Sequence, residues 1–560
     1  MPQTPTKPHH VGRIVQTRPP GTNVARAGAP LAQKLVASAS ATRSEIALIR
    51  GRIFRATLFN WVSKVAILVI RFFLTPFILY RLGATQFGLL ALITSVVGQG
   101  ELFDLGIRAA LVKYVAEHYS RGDYQHTRSI IATSLWLYSA LGLLAFAFAA
   151  VLAPFFPHLF KVPSADQATA TQLVLLMGLQ VGFTLPSLAP GAVLWGLHKY
   201  HLLNALVMTS TVLSSAIMVV VLLAGGGLVA MIAACVPITV AMLPLGMLVL
   251  RLVAPEIYPN WRDARRELFR PILSFSSATF VIDAAFGLQM KTDEVIIGAV
   301  LPVSAVTPYS IARRLSALPQ MVVEQTVGVF LPIASELHAL GDMERLRSLY
   351  LSASRMTLAV CLCLAIVLIA LARPLLTLWV GAEYAQYAPI VVILAVAGLA
   401  ETSHWIGGAI FQGIARHRIV AVACICAALA NLGLSILLVR PYGLIGVALG
   451  TLIPSTILSL CFFWPYASWV LGVPARALFK QVFLPAFLPA VPMAAVLYGA
   501  SLIVEPSGII LTAATAAAAL ATYTAVYLIF CADVQERQLI RSILANLQTT
   551  ISLQRRPPQT

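Results

Sequence analysis

Charge is what this sequence has least of. Only 11% of its 560 residues are Asp, Glu, Lys or Arg, and 59% are hydrophobic, whereas about a quarter of a soluble domain is charged. That composition excludes a soluble globular protein. Long loops are also missing, since no stretch between apolar windows exceeds about 20 residues. There is no G-x-x-x-x-G-K-[ST] phosphate loop, no H-E-x-x-H and no pair of carboxylates in a long loop. These absences leave no room for a soluble catalytic domain or a nucleotide site. They point to a path across a membrane that is gradient-driven or runs downhill, with no cofactor and no metal. The seven cysteines lie within or at the ends of apolar spans. Cys361 and Cys363, like Cys424 and Cys426, stand two apart, about 200° around a helix, so neither pair can chelate one metal. They read as small buried hydrophobes.

What is present is a succession of apolar windows, each long enough for a helix to cross about 30 Å of hydrocarbon. Fourteen are read, at 57–81, 87–111, 130–155, 170–195, 203–223, 228–251, 271–298, 304–333, 353–378, 387–411, 419–439, 443–468, 480–504 and 508–531. Barrel strands would instead alternate over about ten residues. The fold class is an all-α polytopic membrane protein.

Orientation follows from the basic residues, because cytoplasmic loops retain Lys and Arg. With the N-terminus inside, sixteen of them, Arg355 included, are assigned to inner loops. Only Arg81, Lys161, Arg373 and Arg440 fall outside. Both termini are therefore expected in the cytoplasm. This topology explains the formal charge of +18 by contact with anionic membrane lipids, without nucleic acid. Residues 1–56 carry nine Lys or Arg against Glu45 and show no apolar core followed by a cleavage site, so they are not read as a cleavable signal. A disordered tail is expected there, with "SEIALIRGRIF" (44–54) lying on the membrane surface.

A repeat links two loops. "AEHYSRGDYQHTRS" (116–129) and "SELHALGDMERLRS" (335–348) both fit E-x-x-x-x-G-D-x-x-x-x-R-S, with Glu117 and Glu336, Gly122 and Gly341, Asp123 and Asp342, Arg128 and Arg347, and Ser129 and Ser348 each 219 residues apart. Helix capping alone would account for the Gly and Asp, though not for the shared spacing to Glu and Arg-Ser. The repeat predicts two parallel pseudo-symmetric six-helix lobes, 57–252 and 271–471, joined by a cytoplasmic linker at 253–270. Two further helices occupy 472–531, and a tail follows at 532–560.

Charges inside the spans are the candidate site. On the first span Asn60, Lys64, Arg71 and Thr75 share a sector of about 60°. Arg71 is near mid-helix, where insertion costs roughly 2.5–3.5 kcal/mol, and no acid on its own helix is well placed to neutralise it. Lys64 has the plain alternative of snorkelling to the surface. On the second span Glu101, Asp104 and Arg108 share a face, and Asp104 with Arg108 equally fits a structural i, i+4 ion pair. The seventh span adds Asp283, Lys291 and Asp293. The eighth carries Arg313, Gln320 and Glu324 on one face, with Arg314 beside it. Glu401 and His404 in the tenth read as a satisfied polar pair before a proton site. Cationic inner faces on two lobes would enclose a cavity suited to a large phosphate-bearing anion.

The stretches "RLGATQFGLLAL" (81–92), "DLGIRAALVKYVAEHYSRGD" (104–123), "KTDEVIIGAVLPVSAVTPYSIARRLSALP" (291–319) and "LPIASELHALGD" (331–342) resemble the oligosaccharide and polysaccharide flippases of the multidrug, oligosaccharidyl-lipid and polysaccharide exporter superfamily. The likeness extends over residues 57–531, and it departs from typical members in the long basic tail and in "LPVSAV". It implies a bacterial inner-membrane protein that moves undecaprenyl-diphosphate-linked oligosaccharide to the periplasmic leaflet, alternating between inward-open and outward-open states. Polysaccharide polymerase and assembly proteins would be its partners. By this resemblance Lys64, Arg71, Arg108, Arg313 and Arg314 would contact substrate, and Asp104 would orient Arg108. Asp293 matches an acidic family position, and Glu101, Asp283, Lys291 and Glu324 would support binding or couple an ion.

Three alternatives remain open from sequence. A drug or cation antiporter of the same superfamily should favour acids in its cavity. A lipid-linked peptidoglycan precursor flippase shares the fourteen-helix plan. A membrane polymerase or acyltransferase should show a long periplasmic loop or a catalytic His with an acid.

Overall fold

The structure is a computed structural model that describes residues 64–98, 104–503, 508–533 and 536–538, and only the backbone of 275–286, 288–290, 325, 417 and 503. The basic N-terminal segment with its expected surface helix, Asn60, Glu101 and the side chain of Asp283 lie outside the described residues.

All regular structure among the described residues is helical. Helices α1 (64–82) and α2 (84–96) are arms of the stretch Lys64–Val96, which bends at Gly83. There follow α3 (Ile107–Ser120), α4 (Tyr124–Leu152), α5 (Gln167–Gly196), α6 (Tyr200–Leu223) and α7 (Leu228–Val253). Three single helical turns between residues 255 and 268 lead into α8 (Phe269–Val300). Next come α9 (Val306–Ser316), α10 (Leu318–Val327), α11 (Phe330–Ala339), α12 (Met343–Ala370), α13 (Ala372–Val380) and α14 (Ala388–Gly413). The stretch Arg418–Leu471 is α15, kinked at Gly443, followed by α16 (Ala475–Leu502) and α17 (Ile509–Cys531).

The described residues of each of the fourteen apolar windows are mostly helical, and ten described stretches are long and apolar enough to span a bilayer by themselves. Three windows are not single helices, one of them being 353–378, which is divided at Leu371 between α12 and α13. The one at 87–111 is divided between α2 and α3, with Leu105 and Gly106 in left-handed backbone at φ +49° and +74°. The one at 304–333 runs through α9, α10 and into α11, and Pro319, which has no N–H to donate, follows the α9–α10 junction. Arg355 also differs from expectation. It belongs to α12 and is 6% exposed, because Asp533 and Glu536 at the end of the chain fold back to neutralise it.

Large apolar side chains such as Leu143, Val151, Val220, Leu437 and Ile510 face outward, a surface suited to lipid. Three apolar cores lie within. One packs Leu111, Ile131, Leu185 and Val193 of α3 to α5, and another packs Leu358, Ile410, Phe463 and Tyr523 of α12 to α17. The third joins the two halves of the chain, setting Leu89, Leu92 and Ile93 of α2 against Ile297 of α8, Tyr309 of α9 and Leu376 of α13.

That junction is tight at its centre. A Cβ on Gly88 would stand 2.4 Å from the Val303 carbonyl oxygen, so only glycine allows the backbones this close. The Thr307 hydroxyl donates to the Ala84 carbonyl at 2.5 Å. The Trp379 indole donates to the Phe72 carbonyl at 2.9 Å, and its ring stacks on that of Phe72.

The two motif loops have the same backbone. Gly122 and Gly341 take φ +74° and +71°. The N–H of Asp123 closes on the His118 carbonyl and that of Asp342 on the Leu337 carbonyl, both at 3.0 Å. Each aspartate then caps the next helix, accepting at 3.1 Å from the N–H of His126 or of Arg345. Gly and Asp are thus explained by a left-handed helix end followed by an N-cap. The rest of the motif is used differently in the two copies, since Glu117 pairs with Arg121 at 3.0 Å and Arg347 donates to the Leu471 carbonyl.

Candidate functional site

Two Asp–Tyr–Arg clusters organise the intramembrane charge, one in each half. The first is built at the break before α3. Asp104 is 6% exposed. Its Oδ1 accepts from the Arg108 backbone N–H at 3.2 Å and from the Tyr138 hydroxyl of α4, and its Oδ2 lies 3.6 Å from Arg108 Nε. The left-handed residues at 105 and 106 replace the expected continuous helical face. Asp104 therefore caps the start of α3, its Oδ1 taking the Arg108 N–H where the helix dipole is positive. Its pairing with Arg108 is the structural reading weighed from sequence.

The second cluster centres on Asp293 of α8, which has no exposure. Its Oδ2 accepts from the Tyr309 hydroxyl at 2.6 Å, the Thr451 hydroxyl at 2.8 Å and Arg313 Nη1 at 3.1 Å. Thr451 in turn accepts from Asn431 Nδ2 at 3.0 Å. On the other side the network stops short: Asp293 Oδ1 and Asn431 Oδ1 are buried without a hydrogen-bond partner. An unmet buried acceptor costs about 1–3 kcal/mol, and more when it is charged.

Arg314, next in sequence, points another way. Its Nη1 donates to the Thr75 hydroxyl of α1 at 3.0 Å, and its guanidinium stands 5.3 Å from the Phe87 ring centre. Arg314 remains solvent-accessible, and both Arg71 and Glu294 are near enough to act on its charge. Glu294 is buried and accepts from the Ser95 hydroxyl of α2. Arg71 is exposed and has no hydrogen bond or ion pair from its guanidinium among the described residues.

The five expected substrate contacts are thus not one group. Arg71 and Arg314 come near each other between α1 and α9, while Arg313 turns to Asp293 of α8. Arg108 instead borders a cavity of about 430 Å³ among α3, α5, α6 and α7, with Ser187, Asn204, Thr211 and Thr239 on its wall. Lys64 is exposed at the start of α1, Lys291 is half-buried and Glu324 is exposed. Glu401 and His404 do not pair with each other. Glu401 accepts from Gln320 at 3.0 Å and Ser455 at 2.9 Å, while the His404 ring bonds Ser459 at 2.8 Å and stacks on Phe463.

Tyr138, Tyr309, Asn431 and Thr451 escaped the sequence reading because a lone hydroxyl or amide in an apolar span is ordinary. One signal was available: Tyr309 and Arg313 stand four apart, one helical turn, on a span already marked by charge.

Residues 78–389 match the family described as polysaccharide biosynthesis protein. The chain is similar to the uncharacterized membrane protein EpsK of Bacillus subtilis (strain 168), at 24% identity over 427 residues, covering 74% of this chain and 82% of that one. Among solved structures it superposes on the lipid II flippase MurJ in an inward closed conformation, with a TM-score of 0.66 and 14% identity over 86% of this chain and 100% of that one. It also superposes on an inward-facing multidrug resistance MATE family transporter of the MOP superfamily, with a TM-score of 0.64 and 15% identity over 76% and 96%. These likenesses are of fold. The matched family model covers more than half of the sequence, and the chain accordingly belongs to the polysaccharide biosynthesis protein family.

Proposed function

We propose that the protein translocates undecaprenyl-diphosphate-linked oligosaccharide repeat units, precursors of O-antigen, exopolysaccharide or capsule, across the bacterial inner membrane. Movement is by alternating access between two six-helix lobes, 57–252 and 271–471, with both termini in the cytoplasm. The carrying observation is the pair Arg71 and Arg314, a guanidinium without a partner among the described residues near a second one held by Thr75 and Phe87. Two adjacent cations repel each other, and a diphosphate satisfies both with fork geometry. Family membership supports a glycan precursor as the cargo, and outward-facing apolar helices leave the polyprenyl chain in lipid. Arg313, neutralised by Asp293, and Arg108, neutralised by Asp104, then serve chiefly to position their neighbours.

We further propose that Asp293 carries the coupling cation, a proton or a sodium ion. Its Oδ1 and the Asn431 Oδ1 are buried acceptors awaiting a positive partner, and Thr451 ties the two residues together. Among the alternatives, the cationic pair disfavours a carrier of cationic drugs.

The test is Arg71→Ala in a strain lacking the wild-type gene. Surface polysaccharide disappears, undecaprenyl-linked repeat units accumulate inside, and the protein remains in the membrane. Normal glycan export in that strain overturns the reading.

A further inference from the structure

The repeated motif contains Arg128 in the first half and Arg347 in the second, and the fold treats them oppositely. Arg347 is satisfied within the protein. Its Nε donates to the Leu471 carbonyl, and its guanidinium lies so close over Gly472 that a Cβ there would stand 2.7 Å from Nη2. Arg128 is exposed and makes no hydrogen bond or ion pair among the described residues. Where its counterpart meets a helix end, Arg128 meets an open space.

That space is a cavity of about 730 Å³ between α4 and α7, closed by the turns at 255–268. One wall is apolar, formed by Leu135, Leu243 and Met247, and Arg128, Asn260 and Trp261 also border it. Asp263 lines it as well, but its Oδ2 is engaged by the Asn260 N–H at 3.0 Å. Trp261 is 53% exposed, and Trp136 stands edge-on to it and donates to its carbonyl at 3.4 Å. Exposed indoles at the end of membrane-spanning helices mark the depth of lipid headgroups. The segment 251–270, which supplies Tyr258, Asn260, Trp261 and Asp263 to the lining, holds five arginines against three acids, one of which, Glu256, is taken by the Tyr119 hydroxyl at 2.8 Å.

A cation without a partner among the described residues, an apolar wall beside it, and two exposed indoles match one class of ligand. We propose that this cavity binds a phospholipid with an anionic headgroup, its phosphate on Arg128 and an acyl chain along Leu135, Leu243 and Met247. A soluble phosphate leaves the apolar wall uncovered, and a zwitterionic lipid gains nothing from the surrounding arginines. None of Arg71, Arg313 or Arg314 takes part, so the site is independent of the proposed cargo.

The test uses the full-length protein purified in detergent. Thermal unfolding and native mass spectrometry are followed while phosphatidylglycerol, phosphatidylcholine or inorganic phosphate is added. Phosphatidylglycerol is expected to raise the unfolding midpoint and to remain bound as a discrete adduct, and Arg128→Gln to weaken its apparent affinity at least tenfold. Neither phosphatidylcholine nor inorganic phosphate should reproduce the effect. Equal phosphatidylglycerol binding by wild type and R128Q overturns the proposal, as does an equal response to phosphatidylcholine or full competition by inorganic phosphate at equal concentration. Should R128Q fail to fold, Trp261→Ala, a change at an exposed side chain, carries the same test: weakened phosphatidylglycerol binding supports the site and unchanged binding overturns it.

Discussion

Arg314 of α9 donates to the hydroxyl of Thr75 on α1 across 3.0 Å, a bond joining residues 239 positions apart through the region where the two halves meet. Thr75 itself donates to the Arg71 carbonyl at 2.9 Å, so one hydroxyl fixes Arg314 and reads the turn that bears Arg71. Thr75→Val keeps the volume and removes the bond. A hydrogen bond to a charged group is worth about 1.5–3 kcal/mol, so glycan export by T75V should fall about tenfold or more, and Arg314→Ala should abolish it. Both are read as surface polysaccharide at equal membrane levels of protein.

The Gly88 junction should be a gate. With cysteines at Ala84 and Thr307, whose backbone carbonyl and side chain lie 2.5 Å apart, oxidation is expected to lock the two halves and stop export. Reductant should restore it. Full export by the cross-linked protein would show that this junction never opens.

Asp293→Asn preserves shape while removing the charge that leaves Oδ1 unmet. Wild-type protein is expected to be stabilised either by sodium or by acidification, as followed by thermal unfolding, and D293N to lose that response. An identical response in both proteins would remove Asp293 from coupling.

The matched loops should be matched in energy. Asp123→Ala and Asp342→Ala each delete one N-cap bond of 3.1 Å, and each should cost about 0.5–2 kcal/mol. Comparable losses on chemical denaturation would follow from the shared geometry, and a loss at only one loop would break the equivalence.

Arg355 is bonded by Glu536 at 2.7 Å and 3.0 Å, and by Asp533 as well. Removing one member of a buried pair costs about 3–5 kcal/mol. Arg355→Ala should therefore lower the unfolding midpoint sharply, Glu536→Gln less, and Asp533→Asn least, because the Asp533 carboxylate is largely exposed at 65%.

Long apolar windows made the helices legible, because hydrocarbon thickness sets one length for every span. The breaks at Leu105 and at the α9–α10 junction were not, since "DLGI" and "SALP" read as continuous apolar sequence and the turn is decided by Asp104 and Pro319 against their tertiary partners. Charge marked Arg71, Arg313 and Asp293 on single helices. The assignment of Arg313 to Asp293, and of Arg314 to Thr75, depends on which helices touch. The burial of Arg355 is not legible because its neutralising acids lie 178 and 181 residues away, and a charge rule reads only local sequence. Asn431 and Thr451 matter through the orphaned oxygens around them, which no residue count reveals.

The Arg355 clasp also has a meaning for biogenesis. A ribosome delivers Glu536 181 residues after Arg355, so α12 enters the membrane with a cation whose counter-charge has yet to be synthesised. Until residues 533–536 arrive, Arg355 carries a charge that the finished fold buries against them. A product ending before residue 533 should therefore be less stable than one that reaches Glu536, read as its level in the membrane.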